Sequence, residues 1–168
     1  ATARFTVANA AIGGMGVGVG VEAGLIDVND LVVAHAHNVS VSCGSMDVLA
    51  EETANADAVA VNVAAGLYGA GNLNVVHPVL RGAADASITA DRETLEGGKA
   101  VGITTTTGGL NVEATNTQWI RSHLWTFALA VNPLASAAAN ICVNTINLAG
   151  SANALIQGPM VLTLAGDM

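Results

Sequence analysis

The sequence predicts an all-β protein, with one β-sandwich or jelly-roll domain of about eight strands over residues 1–168 and at most a short helix. Apolar and small or polar residues alternate with a period of two over several stretches. Segments rich in glycine and asparagine separate these stretches, as turns do. Hydrophobic residues make up 52 % of the chain, which is enough to form a core.

Alternation predicts three strands in the first half of the chain. From Met15 to Val21 valine alternates with glycine, so one face of this strand carries valine and the other is bare backbone. A second strand covers 33–43, and a third is centred on Val59, Val61 and Val63. Residues 45–56 could instead form a short helix, because acidic side chains near its start favour a helix N-terminus.

The second half of the chain predicts further strands of the same kind. They cover 101–107, 121–131, 141–148 and 160–164, and the first of them is rich in β-branched threonine. We expect turns at 13–14, 27–30, 69–72, 97–98, 108–109 and 150–153. The chain shows no interdomain linker and no exact internal repeat, so a single β domain is the predicted organisation.

The charge balance argues against some partners and favours others. The net charge is −8 and the five Lys and Arg residues are scattered singly, whereas nucleic-acid binding requires clustered positive charge. Charged residues make up only 11 % of the chain, too few to keep a large monomer surface free of apolar patches. We therefore expect no nucleic-acid partner, and we expect copies of the chain to cover part of its surface.

A histidine pair is the candidate metal site, although we predict that no metal or other cofactor is bound. His35 and His37 share one face of a strand and could reach a single ion. Zinc would need further ligands from His77, His123, Cys43 or Asp47. The alternative is that both imidazoles line a polar pocket or a contact between subunits.

Other residues give weaker signals of chemistry, and we predict no catalytic residue. The Gly14–Gly20 run lacks the spacing and the following helix of a phosphate-binding loop, so a closely packed strand is the better interpretation. Trp119, Trp125 and Phe127 are predicted core or interface anchors rather than a sugar-binding platform. The sequence leaves open whether Cys43 and Cys142 form a disulfide.

This small, charge-poor, mainly β chain, with its long Ala-, Gly-, Asn- and Thr-rich connections, resembles jelly-roll coat and decoration (cement) proteins of bacterial and archaeal viruses. The resemblance implies a structural subunit of a virus particle that assembles with itself and with other coat proteins. A subunit of an extracellular filament or surface layer, a phage tail-tube subunit and a ligand-binding β module remain alternatives. We expect no membrane span, because the charge-poor segment 7–21 is short and interrupted by glycine.

Overall fold

The structure is a computed structural model that describes residues 2–134 and 136–166. These residues form strands and contain no helix, which confirms the all-β prediction. The strands are β1 (Thr2–Gly13), β2 (Val17–His37), β3 (Ser40–Cys43), β4 (Met46–Gly66), β5 (Gly69–Thr89), β6 (Gly102–Thr105), β7 (Leu110–Ala130), β8 (Ala137–Asn144), β9 (Asn147–Gln157) and β10 (Val161–Thr163).

The strands pair into three sheets with a common order. The first sheet is β1-β4-β7, the second is β2-β5-β8 with β9 also paired to β5, and the third is β3-β6-β10. The pairs β1–β4, β5–β8, β3–β6 and β6–β10 are all parallel. Each sheet therefore takes one strand from a first pass of the chain (2–43), one from a second (46–105) and at least one from a third (110–163).

The passes differ in length. In the first sheet Thr2 lies beside Asn55, and in the third sheet Ser40 lies beside Gly102. In the second sheet Gly69 lies beside Ala137. The separation along the sequence is different for each of these three pairs. Paired strands of successive passes are therefore not separated by one constant number of residues, and the sequence shows no fixed period.

The chain divides into two compact units, and five strands contribute residues to both: β2, β4, β5, β7 and β9. The first unit comprises the described residues of 1–29, 54–81 and 118–149, and the second those of 30–53, 82–117 and 150–168. Ile26, Val76 and a row of alanines form the core of the first unit, with Phe5, Ile120 and Leu124 packed against them. In the second unit, residues of all three sheets, among them Val48, Ile88 and Ile103, enclose one core.

Small side chains fill the interior of the first unit. Ala56, Ala58 and Ala60 on β4 are fully buried, and Gly18 and Gly20 of β2 also face inward. A Cβ atom at Gly18 would overlap the carbonyl group of Ala65. The glycine-rich strand is thus predicted correctly, and its bare-backbone face is the buried one.

Several predicted elements differ from the structure. Residues 45–56 form no helix, because from Met46 onward they belong to β4, where alternate side chains point into the core. The predicted turns at 27–30, 69–72 and 150–153 lie inside β2, β5 and β9. A period-two burial pattern over 21 residues outweighs the turn preference of single Asn, Asp and Gly residues.

The predicted sandwich or jelly roll is not confirmed. Jelly rolls are built from antiparallel Greek keys, whereas the strand pairs described above are parallel. The described residues also contain ten strands rather than about eight. The predicted strand 33–43 is interrupted at Asn38, which adopts a left-handed conformation with φ of 49° between β2 and β3.

Candidate functional site

The sheet edges are the first candidate functional feature. In each sheet the second-pass strand lies in the middle, so the first-pass strands β1, β2 and β3 occupy one edge. The third-pass strands β7, β8, β9 and β10 occupy the other edge. An edge strand presents unpaired backbone N–H and C=O groups, which can pair with a further strand.

Residues of the third-pass edge that face the inner side of their sheet are also exposed to solvent. Ile156 of β9 packs against the core of the second unit, and Ala152 and Ala154 share its face by the period of two. Both alanines are nevertheless exposed. All eight residues of β8 are exposed too, including Ala138 and Cys142, which lie beside the inward-facing Ala70 and Asn74 of β5. Apolar side chains that would be interior in a longer stack therefore face solvent at this edge.

The outer face of β7 carries the aromatic cluster. Trp119, Trp125 and Phe127 all point outward, and between 41 % and 60 % of each residue is exposed. They do not form part of the core of the first unit. Their role as interface anchors stays a prediction, and Leu129 extends the same exposed row.

Charged groups lie near one end of this aromatic row. The guanidinium of Arg121 lies over the Trp119 ring, 5.0 Å from its centroid. On the same sheet, Arg4 and Asp57 form a long ion pair of 3.9 Å on the neighbouring strands β1 and β4. Because these groups are substantially exposed, the ion pair contributes little to stability.

The two histidines take part in a chain of hydrogen bonds on the outer face of the second unit. His35 Nδ1 lies 2.8 Å from Ser87 Oγ, and His37 Nδ1 lies 2.9 Å from Thr89 Oγ1. The Thr89 hydroxyl is also 3.3 Å from His35 Nε2, and the Asn38 amide donates to His37 Nε2 over 2.8 Å. One assignment satisfies all four bonds: each imidazole is neutral, donates from Nδ1 and accepts at Nε2.

This arrangement suits a structural role better than metal binding. In this assignment both Nε2 atoms accept hydrogen bonds and are not free to bind a metal. Among the described residues, no three His, Cys, Asp or Glu side chains are grouped so that they could hold an ion. Of the predicted additional ligands, His77 and His123 lie in the first unit, whereas Cys43 and Asp47 lie in the second unit with His35 and His37.

Asp91 closes the end of the histidine chain. Its carboxylate accepts a hydrogen bond from the Asn38 amide, and its backbone N–H donates to Asn38 Oδ1 over 3.0 Å. The bond from Asn38 is the main cause that lowers the pKa of Asp91, with a smaller contribution from Arg92. These two hydrogen bonds join the segment that follows β2, which contains Asn38, to the segment that follows β5, which contains Asp91.

Two carboxyl groups are buried without a partner. Glu22 on β2 and Glu52 on β4 are 5 % and 1 % exposed, and none of their carboxyl oxygens has a hydrogen-bond partner among the described residues. Burial raises the pKa of Glu22. Glu22 belongs to the first unit and Glu52 to the second. Alternation alone had given no signal that these two glutamates face inward.

Two further features bear on chemistry. An open groove of about 390 Å³ in the second unit is lined by Lys99 and by small or hydroxyl side chains such as Ser40 and Thr104. Cys43 is partly buried and Cys142 is exposed, and both thiols are free.

Among the described residues, no helix has the length and apolar character needed to cross a membrane.

Comparison with known proteins assigns no family to the chain. No family model matches it, and neither the curated proteins nor the solved structures include a significant match.

Proposed function

We propose that the chain is a non-catalytic structural element that acts by self-assembly, with parallel β layers added in register at its sheet edges. The observation that carries the proposal is that all three sheets end in first-pass strands at one edge and third-pass strands at the other. A further copy could place its first-pass strands β1, β2 and β3 beside the third-pass strands of its neighbour. Such a head-to-tail contact repeats without closing and generates a filament.

The character of the third-pass edge supports this proposal. Natural sheet edges that must stay single are protected by charge, proline or a covering segment. Here β8 and the first part of β9 expose Ala, Asn, Ile, Val and Leu side chains, and neither strand contains Lys, Arg, Asp or Glu. Stacked-coil proteins need polar terminal caps to remain soluble as single molecules. Within β8 and β9 this edge therefore lacks protecting charges and prolines, as expected of a surface that another β layer covers.

Of the assemblies that the sequence suggested, we favour an extracellular filament or surface layer over a virus particle. A jelly-roll coat subunit requires antiparallel strands. Parallel stacking instead favours growth along one axis. A decoration protein on a virus particle, in contact with other coat proteins, remains the alternative and would use the same edges.

Electron microscopy and sedimentation of the purified chain test the proposal. We expect elongated particles whose length increases with protein concentration. Ala154→Lys should prevent elongation, because a further layer would bury the lysine charge without a partner. Asn153→Lys is the matched control, since the neighbouring side chain on β9 points to the opposite face. A wild-type chain that stays monomeric, or equal elongation of both variants, would contradict the proposal.

Immunolabelling of the native source separates the two kinds of assembly. An antibody against the chain should label fibres or a surface layer if the filament proposal holds. Labelled virus particles would support the decoration alternative and contradict the filament.

The exposed aromatic row favours a second candidate function, the binding of a carbohydrate surface. At about 3.3 Å per strand residue, Trp119 and Trp125 lie roughly 20 Å apart on one outward face of β7. Their rings could stack on sugar rings, and Arg121 and His123 between them could bind hydroxyl groups. Trp125→Ala should abolish co-sedimentation with insoluble cellulose or chitin, while Leu129→Ala on the same face should not. Failure of the wild-type chain to co-sediment with either polymer would contradict this candidate.

A further inference from the structure

The first unit has a second exposed face, formed by the outward side chains of β2, β5 and β8. We define the aliphatic face as Val17, Val19, Val21, Leu25, Leu73, Val75, Ile141 and Val143. The strand register places Leu73 beside Ile141 and Val75 beside Val143. Val17 lies against Gly69, and farther along the same two strands His35 lies beside Ser87 at the same offset of 52 residues. This register places Val21 next to Leu73. The eight side chains therefore form one continuous patch over three strands.

The patch is apolar and exposed. Val17, Val19, Val21, Leu25, Ile141 and Val143 are between 42 % and 66 % exposed. At about 100 Å² for each of these six residues, the face presents roughly 600 Å² of apolar surface, which equals the largest patches found on soluble monomers. The inner sides of β2 and β5 already pack against the interior of the unit, so the outward side is available for a partner.

We propose that the aliphatic face binds the same face of a second copy of this chain, so that two copies pair laterally, sheet against sheet. Two faces of this size would bury about 1,200 Å² in total, which reaches the range of specific protein interfaces. The proposal concerns a different surface from the sheet edges and does not depend on end-to-end stacking.

The distribution of charge favours a second copy as the occupant. The chain carries a net charge of −8, so two copies repel each other through most surfaces. All eight residues of the aliphatic face are uncharged. At its end, Asp27 and Arg81 neutralise each other over 3.5 Å. The outer face of β1, β4 and β7 carries Arg4, Asp57 and Arg121 instead, so it is less suited to self-pairing.

The shape of the face also suits a copy of itself. Its aliphatic side chains lie on strands about 4.8 Å apart, with Gly69 and Gly71 leaving low points between them. Two identical sheets share this spacing, so the rows of one can fit between the rows of the other at the usual separation of about 10 Å. With a two-fold axis through the patch, each copy would use the same residues and make the same contacts with its partner.

Analytical ultracentrifugation tests the pairing in the Ala154→Lys background, in which the proposed end-to-end stacking is blocked. We expect a dimer at micromolar concentration. Val19→Lys should raise its dissociation constant by about 100-fold or more, because the dimer would bury two like charges. Ile12→Lys is the matched control, since Ile12 is an exposed aliphatic residue on the other sheet, and it should leave the dimer intact. Circular dichroism should show that both lysine variants remain folded.

Three results would overturn the inference. The first is a monomer at 100 μM in the Ala154→Lys background, which would show that the face does not pair with itself. The second is a dimer that Val19→Lys does not weaken, and the third is a dimer that Ile12→Lys weakens equally. Because elongation is measured separately with Ala154→Lys and Asn153→Lys, failure of the lateral pairing and failure of the filament proposal give different results.

Discussion

Replacement of Glu22 by glutamine should make the protein more stable at neutral pH and leave its stability in acid nearly unchanged. Glu22 is 5 % exposed on the inward face of β2, and neither carboxyl oxygen has a hydrogen-bond partner among the described residues. Burial raises its pKa above the ordinary value of 4.5. The folded protein therefore holds the Glu22 proton at pH values where the unfolded chain has released it.

The sign of the pH dependence follows from this difference. Below pH 4.5 both states are protonated, and the neutral carboxyl resembles the glutamine amide in size and charge. As the pH rises through the raised pKa of Glu22, the folded state must ionise a buried group, and the free energy of unfolding falls. A carboxylate buried without a partner costs more than a neutral amide in the same place, and we take the difference as about 1–3 kcal/mol, the scale for one unsatisfied buried group. We expect Glu22→Gln to raise the free energy of unfolding by about this amount at pH 8 and by almost nothing at pH 4.

Urea unfolding followed by far-UV circular dichroism measures the difference at both pH values. With an m-value of about 2 kcal/mol/M, the midpoint at pH 8 should increase by roughly 0.5–1.5 M. Glu51→Gln is the control, since this glutamate is exposed on the outer face of the neighbouring sheet and should change stability little at either pH. An equal change for Glu22→Gln at pH 4 and pH 8 would refute the reasoning, because ionisation could not then be the cause.

Two further substitutions test the packing and the histidine chain. Gly18→Ala should lower the free energy of unfolding by about 1–3 kcal/mol, because its Cβ would overlap the Ala65 carbonyl. Gly16→Ala, whose Cβ meets no atom within 4 Å, should change it by less than about 0.5 kcal/mol in the same urea experiment. Asn38→Gly keeps the left-handed backbone but removes the amide donor, so the pKa of Asp91 should rise towards its ordinary value of 3.8. NMR titration of the Asp91 carboxyl measures this change, and an unaltered pKa would exclude the bond from Asn38 as the main cause.

Much of the strand content could be predicted from the sequence. Alternation of apolar with small residues correctly placed strands around Val19, Val61 and Phe127, because a strand points successive side chains to opposite faces. It also placed Trp125 and Phe127 on one face. Alternation could not identify the inner face of β2, because one face carries valine, the other glycine, and neither is polar.

The candidate site was only partly predictable. His35 and His37 were correctly placed on one face of a strand, but their partners Ser87 and Thr89 lie on β5, in a later pass of the chain. The buried position of Glu22 was equally inaccessible, since its neighbours Val21 and Ala23 give no sign that it faces inward. These features depend on contacts between passes of different length, which leave no recurring motif in the sequence.

The sequence by itself determined that this protein is β-rich, poor in charge and built from small side chains, because these properties follow from local alternation and composition. Only the tertiary structure decided that the described strand pairs are parallel and that the glycine face of β2 is buried. It also placed the tryptophans outside the core. Strand direction and the choice of inner face depend on which segments meet, and in this chain those segments are distant in sequence, as Thr2 is from Asn55 and Gly69 from Ala137.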